Sequence, residues 1–219
     1  MKIFSMSVFG NDSRYFIGAY KQVELAKKYY SDWEIRIYTD NIKMFDFKDN
    51  QIKIFEILDN SWGPFWRFYP LFEDENNITI VRDSDDRITK REVLSVQEWL
   101  ESEKKFHIIK DHEGHFQFPI MAGLFGFKGK FNFDLLQILN KYKHEHKYYL
   151  SDQFFLKDFI YPEIKDSIMI HSLNEGWFGE SRKNLLNEEF FCGQGYSENN
   201  SALYPKSLSA KNLNSQFID

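Results

Sequence analysis

The stretch from Asn77 to Arg91, NITIVRDSDDRITKR, constrains this chain more than any other. Ile78-Thr79-Ile80-Val81 is a β-branched, largely apolar run, which suits a strand buried on both faces of a sheet. It passes directly into Arg82-Asp83-Ser84-Asp85-Asp86-Arg87. Acidic residues therefore fall at the carboxyl end of a strand, where open α/β sheets bind ligands. In extended chain, residues i and i+2 point the same way, so Asp83 and Asp85 are predicted to stand side by side. Two such carboxylates repel unless a cation neutralises them. Hard oxygen ligands suit Mg²⁺ or Mn²⁺, which keep coordination sites for substrate phosphates. The competing reading is a solvated acidic turn.

The arginines on either side weigh against a plain turn, because Arg82 and Arg87 offer planar forks for carboxylates or phosphates. Other carboxylate motifs fit less well. A calcium loop starting at Asp83 would need Gly at its sixth position and Glu at its twelfth, where Ile88 and Leu94 stand. A D-x-D-x-T/V phosphatase motif would have to end on Arg87.

With 219 residues, one domain is expected. The formal net charge of -5 provides no global field toward nucleic acid or anionic lipid. Aromatic residues make up 18% of the chain, enough for ring packing and for stacking surfaces that meet bases or sugars. The single cysteine, Cys192, excludes an intrachain disulfide framework and fits a reducing compartment. Its neighbours Phe190, Phe191 and Gly193 make it read as a small buried hydrophobe rather than a nucleophile. The opening MKIFSMSVFG is too short and too polar at its end for a signal peptide, and no apolar run reaches membrane-spanning length. A cytoplasmic protein with no membrane span is the expectation.

Taken in order, Lys2 to Phe9 reads as a strand, and Gly10-Asn11-Asp12-Ser13 supplies a turn and a helix cap. A helix follows from Arg14 to Tyr30 with the stripe Phe16, Ala19, Val23, Ala26 and Tyr30. Glu34 to Thr39 and Gln51 to Ile57 are further strands, and this order predicts a largely parallel sheet with crossover helices. The aromatic block Ser61 to Phe72 is predicted to form a short helix ending near Pro70. Its one cation, Arg67, wants an anionic partner, and a diphosphate and Asp83 are both candidates. Thr89 caps a helix reaching about Ser102 on a Val93-Val96-Leu100 stripe, and Lys105 to Lys110 is the next strand. Gly123 and Gly126 sit in an apolar segment, so backbone or ligand approaches closely there. Phe133 to Tyr142 and Asp152 to Ile164 are predicted helices, the second stopped by Pro162, and Ser167 to His171 is a final strand delivering His171. Beyond Gly176 the chain turns polar and reads as a tail wrapping the domain.

These residues in this order resemble the GT-A nucleotide-sugar glycosyltransferases, and in particular a small family of bacterial and large-virus glycosyltransferases. The resemblance rests on Arg82-Asp83-Ser84-Asp85-Asp86-Arg87 with Arg91-Glu92 and Glu98-Trp99-Leu100. It continues through Phe106-His107-Ile108-Ile109 with Asp111-His112, Pro119 with Gly123 and Gly126, Ser151-Asp152-Gln153 with Phe155-Leu156, and Ile170-His171. It covers residues 1–195 and leaves 196–219 as a polar tail. Members often carry Gly-Gly where this chain has Ala122-Gly123, and no Lys-Pro-Trp follows His171 here.

The resemblance implies a single α/β domain of the GT-A, Rossmann-like kind, with a mostly parallel central sheet flanked by helices. It implies a metal-dependent transferase that moves a sugar from a nucleoside diphosphate sugar, UDP-sugar above all, to a glycan or other hydroxyl acceptor. Mn²⁺ or Mg²⁺ would be held by Asp83, Asp85 and His171. Ser7 and Asp40 would meet base and ribose, with Arg67, Arg82, Asp83 and Gln153 also on the donor. Asp111 would stand on the acceptor side, in an exposed loop, and Asp152 beside the donor sugar. Two alternatives remain: a sugar-phosphate nucleotidyltransferase, which calls for a glycine-rich loop where this chain has only Gly10, and an inactive nucleotide-sugar-binding domain.

Overall fold

Period-two alternation along the strands sorts the side chains into two layers, one on each face of a single sheet. The computed structural model describes residues 1–58, 62–132, 135–145, 148–172 and 191–203. Among these, the strands are β1 (Lys2–Val8), β2 (Glu34–Thr39), β3 (Ile52–Glu56), β4 (Ile78–Arg82), β5 (Phe106–Lys110), β6 (Leu124–Lys128) and β7 (Ile168–Ser172), in the order β3-β2-β1-β4-β6-β5-β7. The helices are α1 (Ser13–Tyr29), α2 (Lys90–Glu101), α3 (Leu135–Glu145), α4 (Ser151–Phe155) and α5 (Tyr161–Ile164). The architecture is α/β, with the sheet mostly parallel as expected.

The exception is β6, antiparallel to both β4 and β5. The link from β5 to β6 holds only the short 3-10 turn Glu113–Phe116. It carries no crossover helix to return the chain for a parallel pairing.

On one face, α1 and α2 cover Phe4, Met6, Val8 and Ile80, and the predicted α1 stripe of Phe16, Ala19, Val23, Ala26 and Tyr30 is buried there. On the other, the 3-10 segment Gly63–Phe72 and α4 cover Val81, Phe106, Ile108 and Phe125 with Phe65, Phe68 and Phe155. Asp12 caps α1 by accepting from Arg14 N–H, and Thr89 caps α2 by accepting from Glu92 N–H. Each cap satisfies a donor that the first helical turn leaves without a partner.

The predicted helix end at Ile164 holds, two residues past Pro162. The chain runs helically from Ser151 to Ile164 through a π turn, Leu156–Ile160, in which Tyr161 N–H donates to Leu156 C=O. Pro162, which has no N–H to donate, directly follows that turn, and the helix continues past it. The tail expectation beyond Gly176 falls partly on residues 173–190 and 204–219, outside the described residues. No helix among the described residues is long and apolar enough to cross a membrane.

The α2 face also buries a histidine pair. His107 stacks on Trp99 with ring centroids 5.4 Å apart, and its Nε2 lies 2.9 Å from His171 Nδ1. His171 Nε2 in turn lies 3.0 Å from Glu98 Oε2. Burial, with the charges of His171, Arg82 and Lys128 adding to it, holds His107 well below the ordinary imidazole value of 6.5. The unfolded chain takes up this proton near pH 6.5 and the folded chain does not, so stability is complete above that pH and is lost below it. Urea unfolding at about pH 7.5 and about pH 5 should show a smaller acid loss in His107→Gln than in the wild type. Equal losses in the two proteins would remove His107 as the cause.

Candidate active site

The chain steps from β1 outward to β2 and β3, then returns to place β4 on the other side of β1. The carboxyl ends of β1 and β4 therefore form the switch point of the sheet, the edge at which open α/β sheets bind ligands in a crevice. The acidic motif sits there, though not as an extended strand. β4 ends at Arg82, and Ser84 and Asp85 form a turn. The cause is close packing by α1: a Cβ on Gly18 would meet Ser84 O at 2.5 Å, and Gln22 Nε2 donates to Asp83 O at 3.0 Å. The two carboxylates are brought near each other by this turn rather than by strand pleat.

Arg67 is buried beside this switch point. Its guanidinium donates to Asp83 Oδ1 through one terminal nitrogen and to Asp152 Oδ2 at 2.7 Å through the other. Ser5 Oγ donates to Arg67 O at 2.7 Å, fixing the 3-10 segment against β1. The anionic partner wanted by Arg67 is thus Asp83, with Asp152 as a second. Burial, reinforced by Asp83, holds Asp152 above the usual carboxylate range, while Arg67 pulls against it. Gln153 Oε1 accepts from Ala122 N–H at 3.2 Å, tying α4 to the loop before β6. The next residue, Gly123, has no room for a side chain: a Cβ there would lie 2.0 Å from Asp83 Oδ2.

Asp85 is pushed up to about 6 by burial first and by the charge of Asp83 second, with Arg14 3.7 Å away opposing the shift. Asp86 is buried deeper, and burial with the charges of Asp83 and Asp85 drives it well above the usual range. Its Oδ2 has no hydrogen-bond partner among the described residues. Residues 191–203 pack over this turn. Tyr196 N–H donates to Asp85 O at 3.0 Å, and Arg87 lies over the Tyr196 ring at 4.8 Å while bonding Asn200 Oδ1.

The remaining expected site residues divide. Ser7 is buried near the carboxyl end of β1, and Asp40, just past β2, accepts from Gly10 N–H at 3.1 Å, so both border the crevice. Arg82 does not. It is fully buried on the α2 face, where Nε donates to Glu92 Oε1 at 2.7 Å and one terminal nitrogen to Val81 O and Phe125 O. Asp111 is not in an exposed loop either; it is buried, bonded by Arg91 and by Cys192 N–H at 2.9 Å. His171 has both ring nitrogens turned to His107 and Glu98 on the α2 face, whereas Asp83 faces Arg67 on the opposite one. The strand alternation that sends Arg82 and Asp83 apart is the reason. Among the described residues no three His, Cys, Asp or Glu side chains gather as a metal cage.

Sequence reasoning missed Gly18, Gln22, Arg14 and Asp86. Gly18 carried a signal: a glycine inside a helix costs about 1 kcal/mol relative to alanine and marks a close approach.

No family model matches the chain, and no curated protein does. Among solved structures it is similar to a glycosyltransferase involved in glycosylation of the major capsid of PBCV-1, at 16% identity and a TM-score of 0.44, covering 78% of this chain and 81% of that one. It is also similar to a Bacillus anthracis protein named as a glucose-1-phosphate thymidylyltransferase and solved with sucrose, at 10% identity and a TM-score of 0.48, covering 87% and 96%. At these scores neither likeness decides what the chain does.

The contact between Gly123 and Asp83 is open to a double-mutant cycle. Gly123→Ala should displace the Asp83 carboxylate and strip Arg67 of one partner, costing about 1–3 kcal/mol in urea unfolding. In an Asp83→Ala background the same substitution should cost much less, a coupling of about 0.5–3 kcal/mol. Additive losses would show that the two residues do not press on each other.

Proposed function

We propose that this protein is a metal-dependent glycosyltransferase that takes a sugar from a nucleoside diphosphate sugar and delivers it to a hydroxyl of a glycan or other acceptor. The observation that carries the reading is the pairing of Asp83 and Asp85 at the switch point of the sheet, with Arg67 and Arg14 as the adjoining cations. UDP as the nucleotide follows from the sequence resemblance.

The donor set fits a hard divalent ion such as Mn²⁺ or Mg²⁺. Asp85 is held up by burial and by Asp83, a strain that a cation between them relieves. Two carboxylates on one divalent ion leave coordination positions for phosphate and water. When bound, the ion supplies charge neutralisation for the leaving diphosphate. Asp83 and Asp85 are the residues assigned to hold it, without His171. Arg14, 3.7 Å from Asp85, is placed to meet a phosphate oxygen. Arg67 keeps Asp152 aimed into the crevice at 2.7 Å, where its carboxylate can accept from hydroxyls of the donor sugar. Ser7 and Asp40 border the space for ribose and base. No acceptor-side role is assigned to Asp111, which is committed to Arg91.

A panel of UDP-sugars with Mn²⁺ tests this reading. The wild type should release UDP from at least one of them, EDTA should stop the release, and Asp85→Ala should lower it by about 10²–10³-fold, as loss of a main electrostatic stabiliser does. Full activity in Asp85→Ala overturns the proposal. Pyrophosphate formed from a nucleoside triphosphate and a sugar 1-phosphate would instead identify a nucleotidyltransferase.

A further inference from the structure

A second concavity lies on the far side of the helix that carries Asp152. It is a cleft of about 470 Å³ between α3 and the α4–α5 helical run, lined by Tyr142, Glu145, Tyr148, Phe154, Asp158 and Phe159. Phe154 and Asp158 stand one helical turn apart on the run that begins with Ser151-Asp152-Gln153. The π turn Leu156–Ile160 lies within that lining, and its extra residue per turn lets the consecutive residues Asp158 and Phe159 both reach the cleft. A π turn is an uncommon irregularity found mostly at functional sites. The rings are held in place by one another: Phe159 packs on Tyr142 at 5.6 Å, and Phe154 on Tyr148 at 6.3 Å.

The lining chemistry narrows the ligand. Two carboxylates in the lining repel a phosphate or nucleotide, and Lys157, over the Phe154 ring at 5.9 Å, is not itself among the described lining residues. A purely apolar ligand would desolvate Glu145 and Asp158 without offering them a donor. A pyranose meets both demands, since its C–H face packs on aromatic rings and its hydroxyls donate to carboxylates. The volume falls within the range of small-molecule sites, about 300–1,000 Å³, and exceeds what one sugar ring fills.

We propose that this cleft binds a neutral pyranose unit of the acceptor glycan, one or two sugars away from the hydroxyl presented near Asp152. The words "of the acceptor" rest on the glycosyltransferase reading above; the sugar site itself does not.

Saturation-transfer NMR with methyl glycopyranosides and disaccharides of glucose, galactose, mannose, N-acetylglucosamine and fucose tests the cleft, alongside titration of UDP with Mn²⁺ on the same samples. At least one saccharide should bind with a Kd of about 1 mM, and Asp158→Asn and Phe154→Ala should each weaken it about tenfold. UDP binding and the unfolding midpoint of Asp158→Asn should stay as in the wild type. The proposal is overturned if no saccharide binds by about 20 mM, far weaker than that expected Kd. Unchanged binding in both variants, or occupation by choline in place of sugars, overturns it equally. Saccharide binding in a protein that ignores UDP and Mn²⁺ would support the cleft while removing the glycosyltransferase reading.

Discussion

Arg82 and Asp83 are neighbours in sequence and leave the sheet on opposite faces, and the arrangement around the crevice depends on that divergence. Arg82 goes to Glu92 and secures α2 against the strand. Asp83 goes to Arg67 and, through it, to Asp152 on α4. A buried guanidinium shared by two carboxylates ties together the segments that carry them, because its planar fork bonds each through a separate terminal nitrogen. The pairing thus fixes the 3-10 segment, the end of β4 and the start of α4 relative to one another.

Much of this was legible in the chain. The alternation of EIRIYT, the stripe of α1, the capping stretch Gly10-Asn11-Asp12-Ser13 and the cap Thr89 set down strands and helices close to those observed, because each is a local signal read over a few residues. Arg67 was legible for a different reason: one cation in an aromatic block has to find an anion. The direction of β6 and the π turn within the helical run that ends at Ile164 were not legible, and neither leaves a residue pattern of its own.

The misread site residues share one cause. Asp111 and His171 were placed by their position at strand ends, and position alone does not say which face a side chain takes. Both lie on the α2 face, where Arg91 and the His107–Glu98 pair engage them. Arg82 was grouped with Asp83 because the two adjoin in sequence, although adjacency in a strand means separation in space. Asp86 escaped notice because a fourth charged residue in an acidic turn reads as solvated, whereas the chain buries it beneath the other two aspartates.

The reversed direction of β6 has a consequence for how the crevice can vary. β4 and β5 finish at the same edge, and β6, running against both, starts there. The connection of residues 111–123 therefore begins and ends on the ligand edge and never crosses the sheet. Ile120 and Ala122 of this connection belong to the hydrophobic layer, so residues inserted at its exposed stretch, Phe116-Gln117, would extend the rim and leave strand register as it is. Room for change in loop length lies in that exposed stretch, while Gly123 at the end of the same loop stays pinned by Asp83.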